Sequence, residues 1–177
     1  MSVIKSGGDG NVADVTDDKQ LKTASVSESS IEFASKVKQK AYSWSSSYAA
    51  TGGQEVISLK NTAPSDQLII DEIIVGSSVA NVFTLFDVDS GTAAGTTVLG
   101  KNLNLNSGNT ASATVFGNAS VTGSLSGSVI AYEGVAANGF APLDLLGSVV
   151  LSQNSEVAIT ASATGTVYVT ILGHYKA

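Results

Sequence analysis

From Ala41 onward the apolar positions of this chain recur with a period of two, whereas before Lys40 bulky apolar residues are sparse. In Tyr42-Ser43-Trp44-Ser45-Ser46-Ser47-Tyr48 the aromatic side chains share one parity, and Ser43, Ser45 and Ser47 share the other. Successive strand residues point to opposite faces, so this alternation predicts a half-buried strand. Gly52-Gly53 turns the chain. Residues 55–61 predict a second strand with Ile57 and Leu59 inward, followed by a turn at Pro64-Ser65-Asp66. Residues 67–76 are apolar on both parities, which predicts a central strand covered on both faces. Residues 81–88 place Phe83 and Leu85 on one face and Val82, Phe86 and Val88 on the other.

Residues 90–132 break the pattern. Lys101 is their only charge, and Gly, Ser, Thr, Ala and Asn dominate. Strands are expected at 98–105 and 110–116. The rest reads as long loops, or as low-bulk surface where identical subunits meet. Alternation returns with Leu143, Leu145, Val149 and Leu151 on one parity. Residues 156–164 and 166–175, separated by Gly165, predict a closing hairpin. About eight to ten short strands with frequent turns are the pattern of an all-β sandwich or barrel. Helical crossover spacing and a fixed-period repeat are both absent.

The chain divides into residues 1–40, a polar arm and linker, and residues 41–177, a β-sandwich body. The arm holds too little apolar surface to fold alone, so it is expected to order on a partner. A turn is expected at residues 7–11, within Gly-Gly-Asp-Gly-Asn. Over 27–40, Ser29 and Glu32 have capping-box spacing and Phe33 and Val37 share a helical face. A helix this short is marginal, and an extended linker fits equally well.

Charge narrows the function classes. The arm is neutral, with six Lys against six carboxylates, and the body carries the entire net charge of −6. The chain has no Arg. Nucleic-acid binding needs a positive footprint, so that class is set aside. No stretch approaches the ~20 apolar residues of a membrane span, and no apolar signal region follows Lys5. A soluble protein with no membrane partner is expected.

The catalytic inventory is thin. There is one histidine, His174, and no cysteine, so a nucleophile–base pair has few members to draw on. The adjacent Asp71 and Glu72 are expected on opposite faces of their strand. Asp87 and Asp89 share a parity and, with Ser90, can face a calcium ion, but two carboxylates fall short of a calcium loop; an Asp-rich turn is the plainer reading. Gly7-Gly8-Asp9-Gly10 lacks the Lys-Ser/Thr of a phosphate loop. Tyr42, Trp44 and Tyr48 can stack on sugars, but the surrounding segment lacks acidic and amide partners, which favours a core role. No enzymatic activity, metal or cofactor is expected.

The segment from Gly8 to Ser27, Gly-Asp-Gly-Asn-Val-Ala-Asp-Val-Thr-Asp-Asp-Lys-Gln-Leu-Lys-Thr-Ala-Ser-Val-Ser, followed by Tyr42-Ser43-Trp44, resembles the N-terminal part of small virion proteins of tailed bacteriophages. That family usually carries Asn-Arg before the Leu, where this chain has Lys19-Gln20. The resemblance implies a jelly-roll-like antiparallel β-sandwich that decorates the virion, often as a homotrimer. It implies a capsid decoration or cement protein, made in the host cytoplasm and residing in the virion. Its partner would be the major capsid protein or another virion protein. The expected anchors in the arm are Val12, Val15, Leu21 and Val26. The parity shared by Tyr168, Leu172 and His174 marks the expected oligomer interface. The alternative is a receptor- or glycan-binding head of a tail fibre or other tail or neck structure, with function in loops 89–96, 106–127 and 134–141.

Overall fold

The computed structural model describes residues 4–5, 12–15, 21–22, 35, 39–143, 145 and 149–176. Three short strands come first: β1 (Ile4–Lys5), β2 (Val12–Val15) and β3 (Leu21–Lys22). They form an antiparallel sheet in that order. The turn expected at residues 7–11 lies outside the described residues. So does the candidate helix over 27–40, apart from Ser35, Gln39 and Lys40.

The body opens with four long strands where the alternation places them: β4 (Ala41–Ala50), β5 (Gln54–Asn61), β6 (Gln67–Ser77) and β7 (Asn81–Asp87). Two short strands follow, β8 (Lys101–Asn102) and β9 (Ala113–Phe116). The chain then retraces its path through β10 (Val129–Val135), β11 (Gly139–Pro142), β12 (Val149–Leu151), β13 (Glu156–Ala161) and β14 (Gly165–Lys176). β7 pairs with β10, β6 with β11, β5 with β13 and β4 with β14, all antiparallel. These nested pairs are one long hairpin rolled into two sheets, which is the jelly-roll arrangement. One sheet runs β11-β6-β14-β4-β8, with β12 also on the free side of β6. The other runs β10-β7-β13-β5-β9. The expected all-β jelly-roll sandwich is the observed fold.

The core lies between the sheets. Trp44, Ile57, Leu59, Ile73, Phe83, Ile159 and Ile171 are among its fully buried members. Tyr42 and Trp44 are buried and Tyr48 packs against the same core, so the aromatic face of β4 points inward and is no stacking platform. Burying each such side chain contributes roughly 1.5–3 kcal/mol, and among the described residues every buried member of both clusters lies within 41–177.

Two expectations are corrected. β13 and β14 do not form a hairpin. β13 pairs with β5 and β7, and β14 pairs with β4 and β6, so the link between them crosses from one sheet to the other. That link is tied to the start of β7: Ser162 N donates to the Val82 carbonyl at 3.0 Å, and Ala163 N donates to Asn81 Oδ1 at 3.0 Å. Alternation reports which face a residue occupies but not which sheet its strand joins. The second correction concerns Asp71 and Glu72. Opposite β14, Leu172 pairs with Glu72 and Gly173 with Ile70, which leaves Asp71 as an extra residue in a β-bulge. Ile70 and Ile73 both point inward, so both carboxylates are left on the outer side.

Candidate interaction surface

The two outer faces of the sandwich differ. The outer face of the β10-β7-β13-β5-β9 sheet is covered from within. Residues 88–128, the connection between β7 and β10, fold back over it and build a second small core of Phe86, Ala93, Val121, Leu125 and Ala158. Isolated bridges Ser90–Ser126 and Ala94–Thr122 hold the two limbs of this excursion together. The limbs approach so closely that a Cβ at Gly127 would lie 1.6 Å from the Asp87 carbonyl oxygen and one at Gly123 2.0 Å from that of Thr92. Only glycine fits there, which accounts for part of the small-residue composition. The excursion also adds β8 beside β4 and β9 beside β5, closing one side of the sandwich. The other side ends on β10 and β11.

Among the described residues, nothing covers the outer face of the β11-β6-β14-β4 strands around Phe140 and Tyr168. Strand register sets Phe140, Gly76, Tyr168 and Ser47 in one row. The next row is Pro142, Ile74, Thr170 and Ser45. Phe140 is 64 % exposed and Tyr168 39 %. Their ring centroids are 5.4 Å apart with planes at 44°. Gly76 lies beneath: a Cβ there would meet the Phe140 ring at 2.3 Å. Thr170 and Ser45 hydroxyls bond each other at 3.0 Å, so this row presents satisfied polar groups.

The structure brings Tyr168, Leu172 and His174 onto this one face. They differ in access: Tyr168 is exposed, Leu172 half-buried, and His174 only 6 % exposed. The bulge explains the last. It aims Asp71 at the imidazole, with Nδ1 and Oδ2 2.7 Å apart. Ala41, beside His174 in register, is buried as well. Phe140 was missed by sequence reasoning, which assigned residues 134–141 to a loop. Its signal was a lone aromatic among small residues, Gly139-Phe140-Ala141-Pro142.

In the arm, Val12 and Val15 lie in β2 and Leu21 in β3, with Val15 opposite Leu21 in register. Val26 lies outside the described residues.

Asp87 Oδ1 accepts the Ser128 backbone N–H at 2.7 Å, which ties the end of the excursion, and Asp89 is exposed. Among the described residues, no three His, Cys, Asp or Glu side chains come together as a metal-binding group would require. A cavity of about 360 Å³ is lined by Lys40, Tyr42, Asp66, Asn109, Thr110 and Tyr175, among others. Tyr42 Oη donates to the Thr110 carbonyl at 3.1 Å, and Lys40 forms an ion pair with Asp66. The hydrogen bond from Lys40 holds the Asp66 carboxyl below its ordinary pKa. Burial pushes the phenols of Tyr42 and Tyr175 up, so both remain protonated donors at neutral pH.

Scans against protein-family models, curated proteins and solved structures returned no match to this chain.

Proposed function

We propose that this chain is a structural protein of a tailed-phage particle, a capsid decoration or cement protein whose arm grips a neighbouring virion protein and whose body associates with its own kind. The observation that carries the reading is the pairing of a jelly-roll body with an N-terminal segment that contributes the short strands β1, β2 and β3. Jelly rolls serve as capsid and lectin domains among other roles, and the arm's resemblance to phage virion proteins favours the first. β1 and β3 are the outer strands of the arm's sheet, and such edges bind partners by strand addition. Several arms on one oligomer raise avidity without any single tight contact. No covalent chemistry is required of the protein.

The test is deletion of residues 1–26. Both cores lie within the body, so the truncated chain should fold with unchanged far-ultraviolet circular dichroism. It should no longer co-sediment with purified particles that lack the protein, while the full chain does. A truncated chain that binds as well as the full chain refutes the arm's role.

The cavity lined by Lys40, Asp66, Asn109, Thr110 and Ser112 favours a second reading, a glycan-binding head, because it gathers amide, hydroxyl and charged groups beside the 106–127 loop. Binding of a host polysaccharide by the body alone, lost in Asn109→Ala, would establish it.

A further inference from the structure

The cavity at the junction of linker and body contains a polar group that the fold leaves unused. Tyr175 is 6 % exposed, and its phenol oxygen is buried without a hydrogen-bond partner among the described residues. A buried hydroxyl is costly to leave unpaired, and most are bonded to something. This one lies at the cavity wall. The groups that act on it, Tyr42, Asp66 and the Ser112 backbone, all line the cavity with it. Burial keeps the phenol protonated, so it is a standing donor.

The neighbouring polar groups are already engaged. Lys40 pairs with Asp66, and Tyr42 Oη donates to the Thr110 carbonyl at 3.1 Å. Asn109 Nδ2 donates to the Gln39 carbonyl at 3.4 Å, and the Ser112 carbonyl accepts the Thr62 N–H at 3.0 Å. These bonds fix the walls and leave the Tyr175 hydroxyl as the buried group free to bind. Thr110 and Ser112, both exposed, bring two further hydroxyls to the same cavity.

The balance of the walls selects the ligand class. The Lys40 ammonium is matched by the Asp66 carboxylate. An anion or a cation entering here brings a charge that the pair has no spare partner for, and a partly buried charge without a partner is costly. A purely apolar ligand leaves the phenol unpaired. A neutral molecule rich in hydroxyls meets both conditions, because each hydroxyl can accept from Tyr175 and donate elsewhere. The volume of about 360 Å³ is near the lower end of ligand pockets, roughly 300–1,000 Å³, so the cavity admits one small unit rather than a run of polymer.

We infer that this cavity binds one neutral sugar unit, a hydroxyl of which accepts the hydrogen bond of Tyr175. The inference rests on the glycan-binding reading and adds to it the ligand class and the deciding residue. It is independent of the arm.

Ligand-observed NMR on the full chain tests it, with glucose, galactose, mannose, rhamnose and N-acetylglucosamine as neutral probes and glucuronate and glucosamine as charged ones. At least one neutral probe should bind, and its charged counterparts should bind about tenfold more weakly or not at all. Tyr175→Phe removes one oxygen and should lower the affinity about tenfold, the scale of one neutral hydrogen bond. The melting midpoint of unliganded Tyr175→Phe should hold or rise, since the lost hydroxyl was unpaired. Asp66→Asn unbalances the pair and should shift the preference toward glucuronate. No binding by any neutral probe overturns the inference, as does equal binding by Tyr175→Phe. A lowered melting midpoint in Tyr175→Phe overturns it too, because the hydroxyl is then committed to the fold. A host polysaccharide that binds wild type and Tyr175→Phe alike leaves the glycan reading standing while this inference fails.

Discussion

Leu125→Ala tests whether residues 88–128 are a structural cover or a loose loop. Leu125 is 8 % exposed and packs with Phe86, Val121 and Ala158. The substitution removes three carbons, worth about 0.8 kcal/mol each when withdrawn from water, or about 2.4 kcal/mol in transfer free energy. A cavity adds to this, but a site so near the surface collapses more readily than a deep one. The expected loss is therefore about 2–3 kcal/mol. At roughly 2–4 °C per kcal/mol for a chain of this size, the melting midpoint should fall by about 5–10 °C. Urea unfolding followed by fluorescence is the assay, since Trp44 is the only tryptophan and is fully buried. A change below about 0.5 kcal/mol, the range of ordinary surface substitutions, would show that the excursion adds nothing and that the small core is not a stabilising unit.

Other expectations follow from single contacts. Asp71→Ala leaves the buried His174 imidazole without its partner and should cost about 1–3 kcal/mol in urea unfolding; an unchanged midpoint would contradict the role given to the bulge. Gly76→Ala forces the Phe140 ring aside, and because that ring is an exposed side chain able to swing away, stability in urea unfolding should fall by less than about 1 kcal/mol; a larger loss would show that the ring is fixed in place. The Lys40–Asp66 pair carries a pH signature. Asp66 has a lowered folded pKa, so its contribution is present above the unfolded value near 3.8 and is lost as pH falls through the folded value. Melting curves taken downward from about pH 5 should show this loss in the wild type and lose that component in Asp66→Asn; identical acid profiles would sink it.

The long early strands were readable because their alternation is clean. β4 presents Tyr42, Trp44 and Tyr48 to the core and Ser43, Ser45 and Ser47 to the outer side, while Ser46 shares the inward parity and is buried with its hydroxyl donating to the Val56 carbonyl. β6 was read as covered on both faces because Leu68 and Ile70 share one parity and Ile73 and Val75 the other. The bulge at Asp71 resolves this: the inward face changes parity in mid-strand. β10 and β11 were missed because they are edge strands with few inward residues. Ala131 and Val135 face the core, but Glu133 and Gly134 dilute the signal, and β11 is Gly-Phe-Ala-Pro. The excursion was opaque for a related reason. Its fold depends on close backbone approach at Gly123 and Gly127, which leaves no periodic apolar trace. The outer face of this sheet was half legible: Tyr168 and Leu172 stood out by parity, while Phe140 came into view only once the register placed it across Gly76.

The central claim is that this protein is a component of a particle. Quantitative mass spectrometry of density-purified phage particles, made by cells that express the chain, tests that claim most directly. The account predicts peptides from this chain at many copies per particle, in fixed ratio to the major capsid protein and surviving repeated gradients. Particles that contain no such peptides, with the chain recovered entirely in the soluble fraction, would contradict it.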